Sequence, residues 1–522
     1  MMADHSQAIK RYCRDHLHGS CYIDGKTRSR YATDMSLYRI VPQAVIRPAD
    51  TEDVRRIVQF AGEKRLAITA RGGGSGTAGA ALGSGIILLL DSRSGLTGLG
   101  EITQENDEVR ITAGPAVRHD RLQKKLSQAG LFLPSDPSSG PLSYLGGNIA
   151  TRASGPHALR HGAIDRYLRS VRLVTASGHL VDTSRPDSIP QKLSDGLHAI
   201  RRNLLNDAEN STRIREKQRI KSASGYNLGA FLSYEEAGHI ITSLIAGSIG
   251  TLGIVTEATL SAEALDSKSA LTVFYLASIA DACRTVALCR EGGATSIELI
   301  DARTVWLSRI SGNAGFLPEG EYNLVLAEST GDSANEAARA LREEVEGRGV
   351  ARVHHTQIAV SSEQIEQFWK LRKRLLFVVR NGLENHTAYS VVNDVAVSPE
   401  RLEELITAVR EIFSRHNLPA AVYGHAGSGN LHLRPLFPNN HPDLHRLIKR
   451  VADDVYGAVL SLGGTLTGEH GMGRLRAPYL KAEWGETLWE AMKSIKELFD
   501  PENILNPETM FAENLRTELF DL

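Results

Sequence analysis

Residues 71–79 read RGGGSGTAG, and five of these nine positions are glycine. The apolar run Leu66–Ala70 precedes this loop and the run Ile86–Leu90 follows it, so the pattern predicts a strand, a glycine loop and a second strand. Consecutive residues without Cβ atoms expose backbone N–H groups that can surround an anion, and Arg71 adds a positive charge. The loop therefore favours diphosphate binding over an ordinary surface turn.

Two well-known diphosphate-binding motifs come close to this loop without fitting it. Gly74, Gly76 and Gly79 match G-x-G-x-x-G, but in a Rossmann fold that loop opens a helix. Here residues 80–85 are small and lead into a strand. A P-loop would need Gly-Lys-Ser/Thr, which this stretch does not contain. The sequence therefore predicts a diphosphate site of another type.

Two further stretches are rich in small residues. Residues 143–155 read SYLGGNIATRASG, and residues 248–257 read SIGTLGIVTE. Either stretch alone is typical of tight packing or of a turn. Three glycine-rich turns in one part of the chain fit better with an elongated ligand that crosses several loops.

The composition is that of an ordinary globular protein. The 522 residues include 60 Lys+Arg and 61 Asp+Glu, which give a formal net charge of −1. Such a balance leaves no overall basic field, and we expect no nucleic-acid partner. Four cysteines in 522 residues are too sparse for a disulfide framework, and without a C-x-x-C-x-x-C run they exclude an iron–sulfur cluster held by four cysteines of this chain.

The sequence also bears on location. Residues 1–10 contain no apolar signal region, and the apolar runs are far shorter than the roughly 20 residues of a membrane span. We expect a cytoplasmic protein, and a peripheral place on the inner face of the membrane stays open as an alternative.

The sharpest chemistry lies in the C-terminal third. Residues 423–435 (YGHAGSGNLHLRP) place His425 and His432 seven residues apart, and residues 463–474 (GGTLTGEHGMGR) place Glu469 beside His470. Two imidazoles and a carboxylate suit Zn or Mn, but such histidines are also common as hydrogen-bonded structure. Both interpretations stay open on spacing alone. For the basic helical stretch 369–373 (WKLRK), the residues alone favour a solvated face.

Together these motifs resemble those of FAD-linked 2-hydroxy-acid dehydrogenases. These are flavoproteins of the vanillyl-alcohol-oxidase, or PCMH, type, in the branch of D-lactate dehydrogenase, the glycolate oxidase catalytic subunit and D-2-hydroxyglutarate dehydrogenase. The resemblance covers about residues 40 to 511 and rests on seven ordered motifs: RGGGSGTAG, GGN-x-A-x-x-A-S-G at 146–155, SGYNL at 224–228, GTLGIVTEATL at 250–260, GHAGSGNLH, GEHGMGR and ILNP at 504–507.

The resemblance implies an α+β fold. A PCMH-type FAD-binding domain of two α/β subdomains would be joined to an α+β substrate, or cap, domain with an antiparallel sheet. We expect an N-terminal extension over residues 1–40 and the FAD-binding domain over 41–265. The substrate domain with a metal site would span 266–480, and a segment returning to the flavin would span 481–522.

The resemblance also assigns residues to roles. His425, His432 and Glu469 match metal ligands for Zn or Mn, His470 matches the catalytic base, and Arg372 and Asn430 match substrate contacts. FAD would be held non-covalently, because residues 71–81 contain no histidine for flavin attachment. The cofactor-binding positions are Arg71, Gly72, Gly73, Gly74, Ser75, Gly76, Thr77, Pro137, Ser138, Gly146, Gly147, Asn148, Ser154, Gly155, Gly250, Gly253, Ile254, Val255 and Asn506.

The implied activity is oxidation of a D-2-hydroxy acid, D-lactate or glycolate-like, with electrons passed to a non-nicotinamide acceptor. Residues 392–394 (VND) lack the lysine that D-2-hydroxyglutarate dehydrogenases place near there, which argues against that substrate. Arg434, Pro435 and GEHGMGR match members fused to or partnered by an iron–sulfur protein, so a separate iron–sulfur or electron-transfer partner is expected. A homodimer stays open.

Two other functions remain open at this point. One is a transferase resembling alkylglycerone-phosphate synthase, which shares the flavin fold but performs no net oxidation. The other is a non-catalytic flavin-binding subunit, although the intact GHAGSGNLH and GEHG stretches argue against a dead site.

Overall fold

The structure is a computed structural model that describes residues 4–266 and 268–522. Its first part is a four-stranded sheet in the order β1-β2-β4-β3, with β1–β2 antiparallel and the other two pairs parallel. The elements of this part are α1 (Ser6–His16), β1 (Ser20–Tyr22), α2 (Gly25–Arg30), β2 (Ala44–Arg47), α3 (Thr51–Lys64), β3 (Ile68–Arg71) and β4 (Ile86–Leu89).

The local sequence signals explain this part. The Asp50 side chain caps α3 by accepting a hydrogen bond from the Asp53 N–H, and Val54, Ile57 and Val58 bury the apolar face of the helix. Residues 72–85, all of which the structure describes, connect the parallel strands β3 and β4 without a helix. The predicted strand, loop and strand are confirmed, and so is the exclusion of a Rossmann loop.

The second part is a six-stranded antiparallel sheet covered by helices. Its strand order is β5-β6-β10-β8-β9, and β7 pairs with β10. Its elements are β5 (Leu99–Glu105), β6 (Glu108–Ala113), α4 (His119–Ser127), β7 (Leu131–Phe132), α5 (Leu145–Thr151), α6 (Ala158–His161), β8 (Leu168–Val174), β9 (Leu180–Asp182), α7 (Gln191–Asn206), α8 (Ala208–Gln218), α9 (Gly229–Ser233), α10 (Ala237–Ile245) and β10 (Ile254–Ala264).

The third part contains a seven-stranded antiparallel sheet in the order β14-β11-β13-β12-β17-β18-β16. The short strands β15 and β19 pair separately. The elements are β11 (Ser269–Leu276), α11 (Ile279–Glu291), β12 (Ser296–Ile300), α12 (Ala302–Ile310), β13 (Asn323–Thr330), α13 (Ala334–Arg348), β14 (Val353–Ala359), α14 (Ser362–Asn381), β15 (His386–Thr387), β16 (Val395–Ala396), α15 (Leu402–Arg415), β17 (Ala420–Gly424), β18 (Asn430–Pro435), β19 (Phe437–Pro438) and α16 (Leu444–Ser461).

The chain then returns to the first two parts. Helices α17 (Leu480–Trp484) and α18 (Glu486–Phe499) pack their apolar residues into the core of the second part. Gly485, at φ 76°, separates the two helices. Beyond α18, the Ile504 carbonyl accepts a hydrogen bond from the Ile68 N–H, and the Asn506 N–H donates to the Ile68 carbonyl. Ile68 lies in the edge strand β3 of the first sheet.

The predicted α+β class and the antiparallel sheet of the third part are confirmed. No helix among the residues that the structure describes is long and apolar enough to cross a membrane.

Candidate active site

A cavity of about 340 Å³ lies where the three parts meet. It is lined by the β3–β4 loop, by residues around α5, by the start of β10, and by side chains of α14, β18 and the turn that precedes α17. Seventeen of the predicted cofactor-binding residues line it: Arg71, Gly72, Gly73, Gly74, Ser75, Gly76, Thr77, Pro137, Ser138, Gly146, Gly147, Asn148, Ser154, Gly250, Gly253, Ile254 and Val255.

The glycines of this cavity fall into two kinds. Gly74 has φ +68°, and a Cβ there would lie 2.3 Å from Arg71 Nη2, so its own surroundings require glycine. A Cβ at Gly76 or Gly147 would meet no described atom within 4 Å. Because both residues line the cavity, that Cβ would occupy ligand space. The walls therefore fit an elongated ligand that approaches the backbone closely.

Arg71 supports the loop from below. Its guanidinium donates to the carbonyls of Thr33 (2.8 Å) and Tyr31 (3.1 Å) and lies 5.3 Å from the Tyr31 ring centroid. The residue is buried. The positive charge predicted at Arg71 is thus present beside Gly74. Its hydrogen bonds go to carbonyls of the protein, so they stabilise the loop.

Two predicted cofactor contacts lie outside the cavity lining. Asn506 hydrogen-bonds within the protein: Nδ2 donates to the carbonyls of Ala80 (2.9 Å) and Ile249 (2.7 Å), and Oδ1 accepts from Thr69 (3.1 Å). At Gly155 a Cβ would lie 2.3 Å from the Asp136 carboxylate, so close packing explains the glycine. Both residues shape the walls without lining the cavity.

The predicted metal ligands converge at one end of the cavity. His425 Nδ1 lies 2.5 Å from Glu298 Oε1, and its Nε2 lies 3.0 Å from Glu469 Oε1. His432 Nδ1 donates to the Asn393 carbonyl at 2.9 Å, and its Nε2 lies 3.7 Å from the same Glu469 oxygen. Both imidazoles are therefore held through Nδ1 by another group of the protein. Both turn Nε2 toward the Glu469 carboxylate.

This arrangement fits a divalent metal. A metal-ligating histidine generally donates its other N–H to a carboxylate or a carbonyl, as His425 and His432 do here. Four side chains place ligand atoms within 4.8 Å of one another, namely Asp394, His432, Glu469 and His470; His425 is outside that group.

Asp394 is poorly suited to be a ligand. Its Oδ2 accepts from the Thr467 hydroxyl and from the N–H groups of Glu469 (3.0 Å) and His470 (2.8 Å). Its Oδ1 accepts from Asn430 at 3.0 Å. The carboxylate thus holds the turn that carries Glu469 and His470, and few of its lone pairs remain for a metal.

The protonation states of His432 and Glu469 also suit a cation. Burial lowers the pKa of His432 well below its ordinary value, and the nearby His425 adds to the effect. Burial opposes the charge of Glu469, but His425 and Lys221 outweigh it and hold the pKa of this carboxyl well below its usual range. A deprotonated carboxylate and a neutral imidazole are the forms that bind metals.

His470 lines the cavity beside this cluster. Its ring stacks on His432 with centroids 5.4 Å apart, and Asn393 Nδ2 lies 3.3 Å from its Nδ1. Arg476 donates to Asn393 Oδ1 at 3.2 Å, which fixes the amide orientation and points the NH₂ group at the imidazole. Burial lowers the pKa of His470, although Asp394 and Glu469 counteract this, so the ring is neutral near pH 7.

Arg372 projects inward from α14. Its side chain is 5% exposed, Nε donates to Glu298, and the guanidinium carbon lies 5.1 Å from the Tyr423 ring centroid. Nη2 has no hydrogen-bond partner in the described part of the chain, and the residue lines the cavity. The solvated-face interpretation is therefore wrong for Arg372, whereas the neighbouring Lys370 is exposed.

Asn430 lies behind the site, not in it. Nδ2 donates to Asp394 Oδ1 and to the Val395 carbonyl, both at 3.0 Å, and Oδ1 accepts from Lys221 at 3.0 Å. The residue is fully buried and does not line the cavity, and both of its amide hydrogens are donated within the protein. The predicted substrate contact is thus a support for Asp394 and Lys221 in the structure.

Three charged residues of the site were missed by sequence reasoning. Lys221 donates to Glu469 Oε2 at 2.6 Å, Glu298 holds both His425 and Arg372, and Arg434 lines the cavity with Nε unpartnered among the described residues. For Glu298 a signal existed, since it is a lone charge within the apolar strand SIELI. Lys221 carries no spacing that would have singled it out.

Two family profiles match this chain. Residues 42–184 match "FAD binding domain", and residues 265–510 match "FAD linked oxidases, C-terminal domain". The two profiles therefore cover both sides of the cavity.

Several curated proteins are similar over most of the chain. A D-2-hydroxyglutarate dehydrogenase of Pantoea ananatis is 31% identical over 92% of this chain and 50% of its own length. The glycolate oxidase subunit GlcD of Bacillus subtilis is 27% identical over 92% of this chain and 91% of its own length. The chain thus spans about half the length of the D-2-hydroxyglutarate dehydrogenases it matches.

A solved structure shares the fold. An alkyldihydroxyacetonephosphate synthase superposes with a TM-score of 0.65 at 19% identity, covering 96% of this chain and 84% of that one. At this identity the likeness concerns the fold alone.

Proposed function

The chain belongs to the FAD-linked oxidases, flavoproteins of the vanillyl-alcohol-oxidase type, and on that premise we propose that it oxidises a D-2-hydroxy acid to the 2-oxo acid. One observation carries the proposal. The glycine loops of the FAD binding domain, Arg372, and the His432–Glu469–His470 cluster line the same cavity. A cofactor on the loops would therefore share one space with a carboxylate-binding arginine, a metal-binding cluster and a neutral base.

We propose that FAD is held without a covalent bond. The open faces of Gly76 and Gly147 support this, because they leave room for the cofactor against the backbone. The loop at residues 71–81 contains no histidine to carry the flavin. When bound, FAD would supply hydride acceptance, the electronic step that the side chains cannot perform.

For the metal we propose His425, His432 and Glu469 as ligands to Zn or Mn. The support is the pair of anchored imidazoles whose Nε2 atoms face Glu469 Oε1. A divalent ion there would supply Lewis acidity to an alcohol. Lys221 donates to the other oxygen of Glu469 and keeps that carboxylate in one orientation.

The protein's own groups would prepare the substrate. The unpartnered Nη2 of Arg372 would donate to the substrate carboxylate and orient the molecule. Neutral His470 would accept the hydroxyl proton as the general base at Nδ1, because the Asn393 NH₂ group faces that nitrogen and so places the lone pair of the neutral ring there. Asn393 and Arg476 would fix the ring of His470, and Asp394 would hold the turn on which it sits.

Among 2-hydroxy acids, the sequence points to D-lactate or a glycolate-like substrate. A second candidate is a 2-hydroxy acid with a further carboxylate, because buried Arg434 lines the same cavity and its Nε has no partner within the described residues. The similarity to D-2-hydroxyglutarate dehydrogenases supports this candidate. In that case Arg434, and not a lysine near residue 393, would meet the second carboxylate.

The electron acceptor is proposed to be a non-nicotinamide one, on a separate iron–sulfur or electron-transfer protein. One observation supports a non-nicotinamide acceptor: the glycine loop between β3 and β4 opens no helix and is therefore not a Rossmann loop.

An anaerobic screen tests the function. FAD-loaded protein is mixed with D- and L-lactate, glycolate and D- and L-2-hydroxyglutarate, and the oxidised flavin absorbance is followed. We expect bleaching by D-enantiomers or by glycolate. If none of these acids reduces the flavin, the dehydrogenase proposal fails, and the transferase or the non-catalytic flavin subunit takes its place.

A further inference from the structure

We infer that Glu298 is a positioning residue that holds the carboxylate-binding arginine and a metal-ligating histidine with one side chain. The inference rests on the proposed function, since it assigns a support to that same site. Glu298 Oε1 lies 2.5 Å from His425 Nδ1, and Glu298 Oε2 accepts a hydrogen bond from Arg372 Nε. Glu298 does not line the cavity, so it would act only through these two partners.

The strand pairing explains how Glu298 reaches both partners. In the antiparallel pair β12–β17, Leu299 lies opposite Gly424, so the next position places Glu298 opposite His425. Helix α14 packs over this end of the sheet and brings Arg372 to the other carboxylate oxygen. The two partners come from elements about 50 residues apart in sequence, and one side chain sets their separation.

A buried carboxylate in this position needs partners for its charge. The Glu298 side chain is 0% exposed, and an unpaired charge at such a place would be strongly destabilising. Glu298 has one partner on each carboxylate oxygen, Arg372 on Oε2 and His425 on Oε1.

The consequence for the site is specific. With Nδ1–H held by Glu298, His425 presents Nε2 to Glu469, and a metal would bind this nitrogen in place of a proton. With Nε held by the same carboxylate, Arg372 keeps Nη2 free at the cavity wall. Glu298 therefore fixes both the metal ligand and the distance from it to the carboxylate-binding group.

The test compares Glu298→Gln with a matched control. The amide keeps the shape of the side chain, but an NH₂ group replaces one of the two oxygens, so either His425 or Arg372 loses its acceptor. Glu328→Gln is the control, because Glu328 is also buried, lies on the neighbouring strand β13, and bonds His157 at 2.6 Å outside the cavity lining.

Two readouts are measured on flavin-loaded protein stripped of metal. The first is the Kd for Zn²⁺ or Mn²⁺, obtained by competition with a chromogenic chelator in the absence of substrate. The second, measured after a saturating concentration of the same ion has been restored, is the split between KM and kcat for the best 2-hydroxy acid. We expect Glu298→Gln to weaken metal binding about 10–100-fold and to raise KM, and Glu328→Gln to stay within about threefold of wild type in both.

Each outcome bears on the inference. A folded Glu298→Gln protein whose metal Kd and KM both stay within threefold of wild type would overturn it, as would equal losses in the Glu328→Gln control. Should Glu298→Gln not fold, Glu298→Asp decides, because it keeps the charge but is too short to reach both partners, and unchanged metal binding there overturns the inference as well.

Failure of the proposed function looks different. Wild-type protein that binds Zn²⁺ or Mn²⁺ but is reduced by no 2-hydroxy acid would refute the activity alone, since metal affinity still reports on Glu298. Wild-type protein that binds neither ion would overturn the histidine half of the inference.

Discussion

Adding one methyl group at Gly76 or Gly147 should weaken FAD binding without harming the fold. A Cβ at either position would meet no described atom within 4 Å, and neither residue has a positive φ. The flavin-free Gly76→Ala and Gly147→Ala proteins should therefore be at least as stable as wild type. Gly147 lies within α5, where alanine is favoured over glycine by about 0.5–1 kcal/mol.

The loss of affinity follows from the space that the methyl group takes. Both glycines line the cavity, so the Cβ would occupy volume that the cofactor needs. Inserting a methyl group into a close-packed contact costs about 1–3 kcal/mol, which corresponds to about a 5–150-fold increase in Kd. Gly98→Ala is the matched control, since Gly98 is exposed, has an equally open Cβ position and lies outside the cavity.

The assay is titration of flavin-free protein with FAD, followed by flavin fluorescence, together with thermal unfolding of each flavin-free variant. The expected pattern is weakened FAD binding for Gly76→Ala and Gly147→Ala, unchanged binding for Gly98→Ala, and no fall in Tm for any of the three. If Gly76→Ala and Gly147→Ala bind FAD as wild type does, the ligand does not approach these backbones and its placement in the cavity is wrong.

Three other predictions concern charged and titrating side chains. Arg372→Met should raise KM and lower kcat together, by on the order of 2–4 kcal/mol in kcat/KM, and unchanged steady-state kinetics would remove Arg372 from the site. His470→Ala should keep FAD but slow flavin reduction about 10²–10⁴-fold in stopped flow; a loss below tenfold would assign His470 to structure. Burial opposes charge on His157, but Asp136 and Glu328 hold its pKa well above the ordinary value. Its ion pairs should therefore stabilise the fold fully below about pH 6.5 and progressively less as pH rises through the raised pKa, so His157→Gln should cost about 1.5–3 kcal/mol at pH 6 and less at pH 9, measured by urea unfolding. An equal cost at both pH values would contradict this.

The elements that local signals specify were predictable from the sequence. Helix α3 has a capping aspartate and a regular apolar face, and the strands on both sides of the glycine loop are short buried runs. The pairing of distant segments was not predictable in this way. Periodicity shows which face of an element is buried, but it does not show what packs there, so the contact of α18 with the second part came only from the structure.

The site shows the same division. Glycines and clustered histidines carry strong local patterns, and most of them line the cavity. Asn430 and Asn506 lie in equally clear sequence motifs. In the structure, however, the side-chain NH₂ groups of both donate to acceptors of the protein itself. Lys221 belongs to a segment about 250 residues before Glu469, and only the folded chain brings the two together.

The contact between Thr69 and Asn506 has a consequence for synthesis of the protein. These residues are separated by 437 positions, and Asn506 also ties down the loops at Ala80 and Ile249. On the ribosome the glycine loop is made early. Asn506, which holds the loops at Ala80 and Ile249, emerges only after most of the chain. The flavin pocket should therefore stay incomplete during translation. Chains released before residue 506 should accumulate without cofactor, even though the four-stranded and six-stranded sheets have already been made.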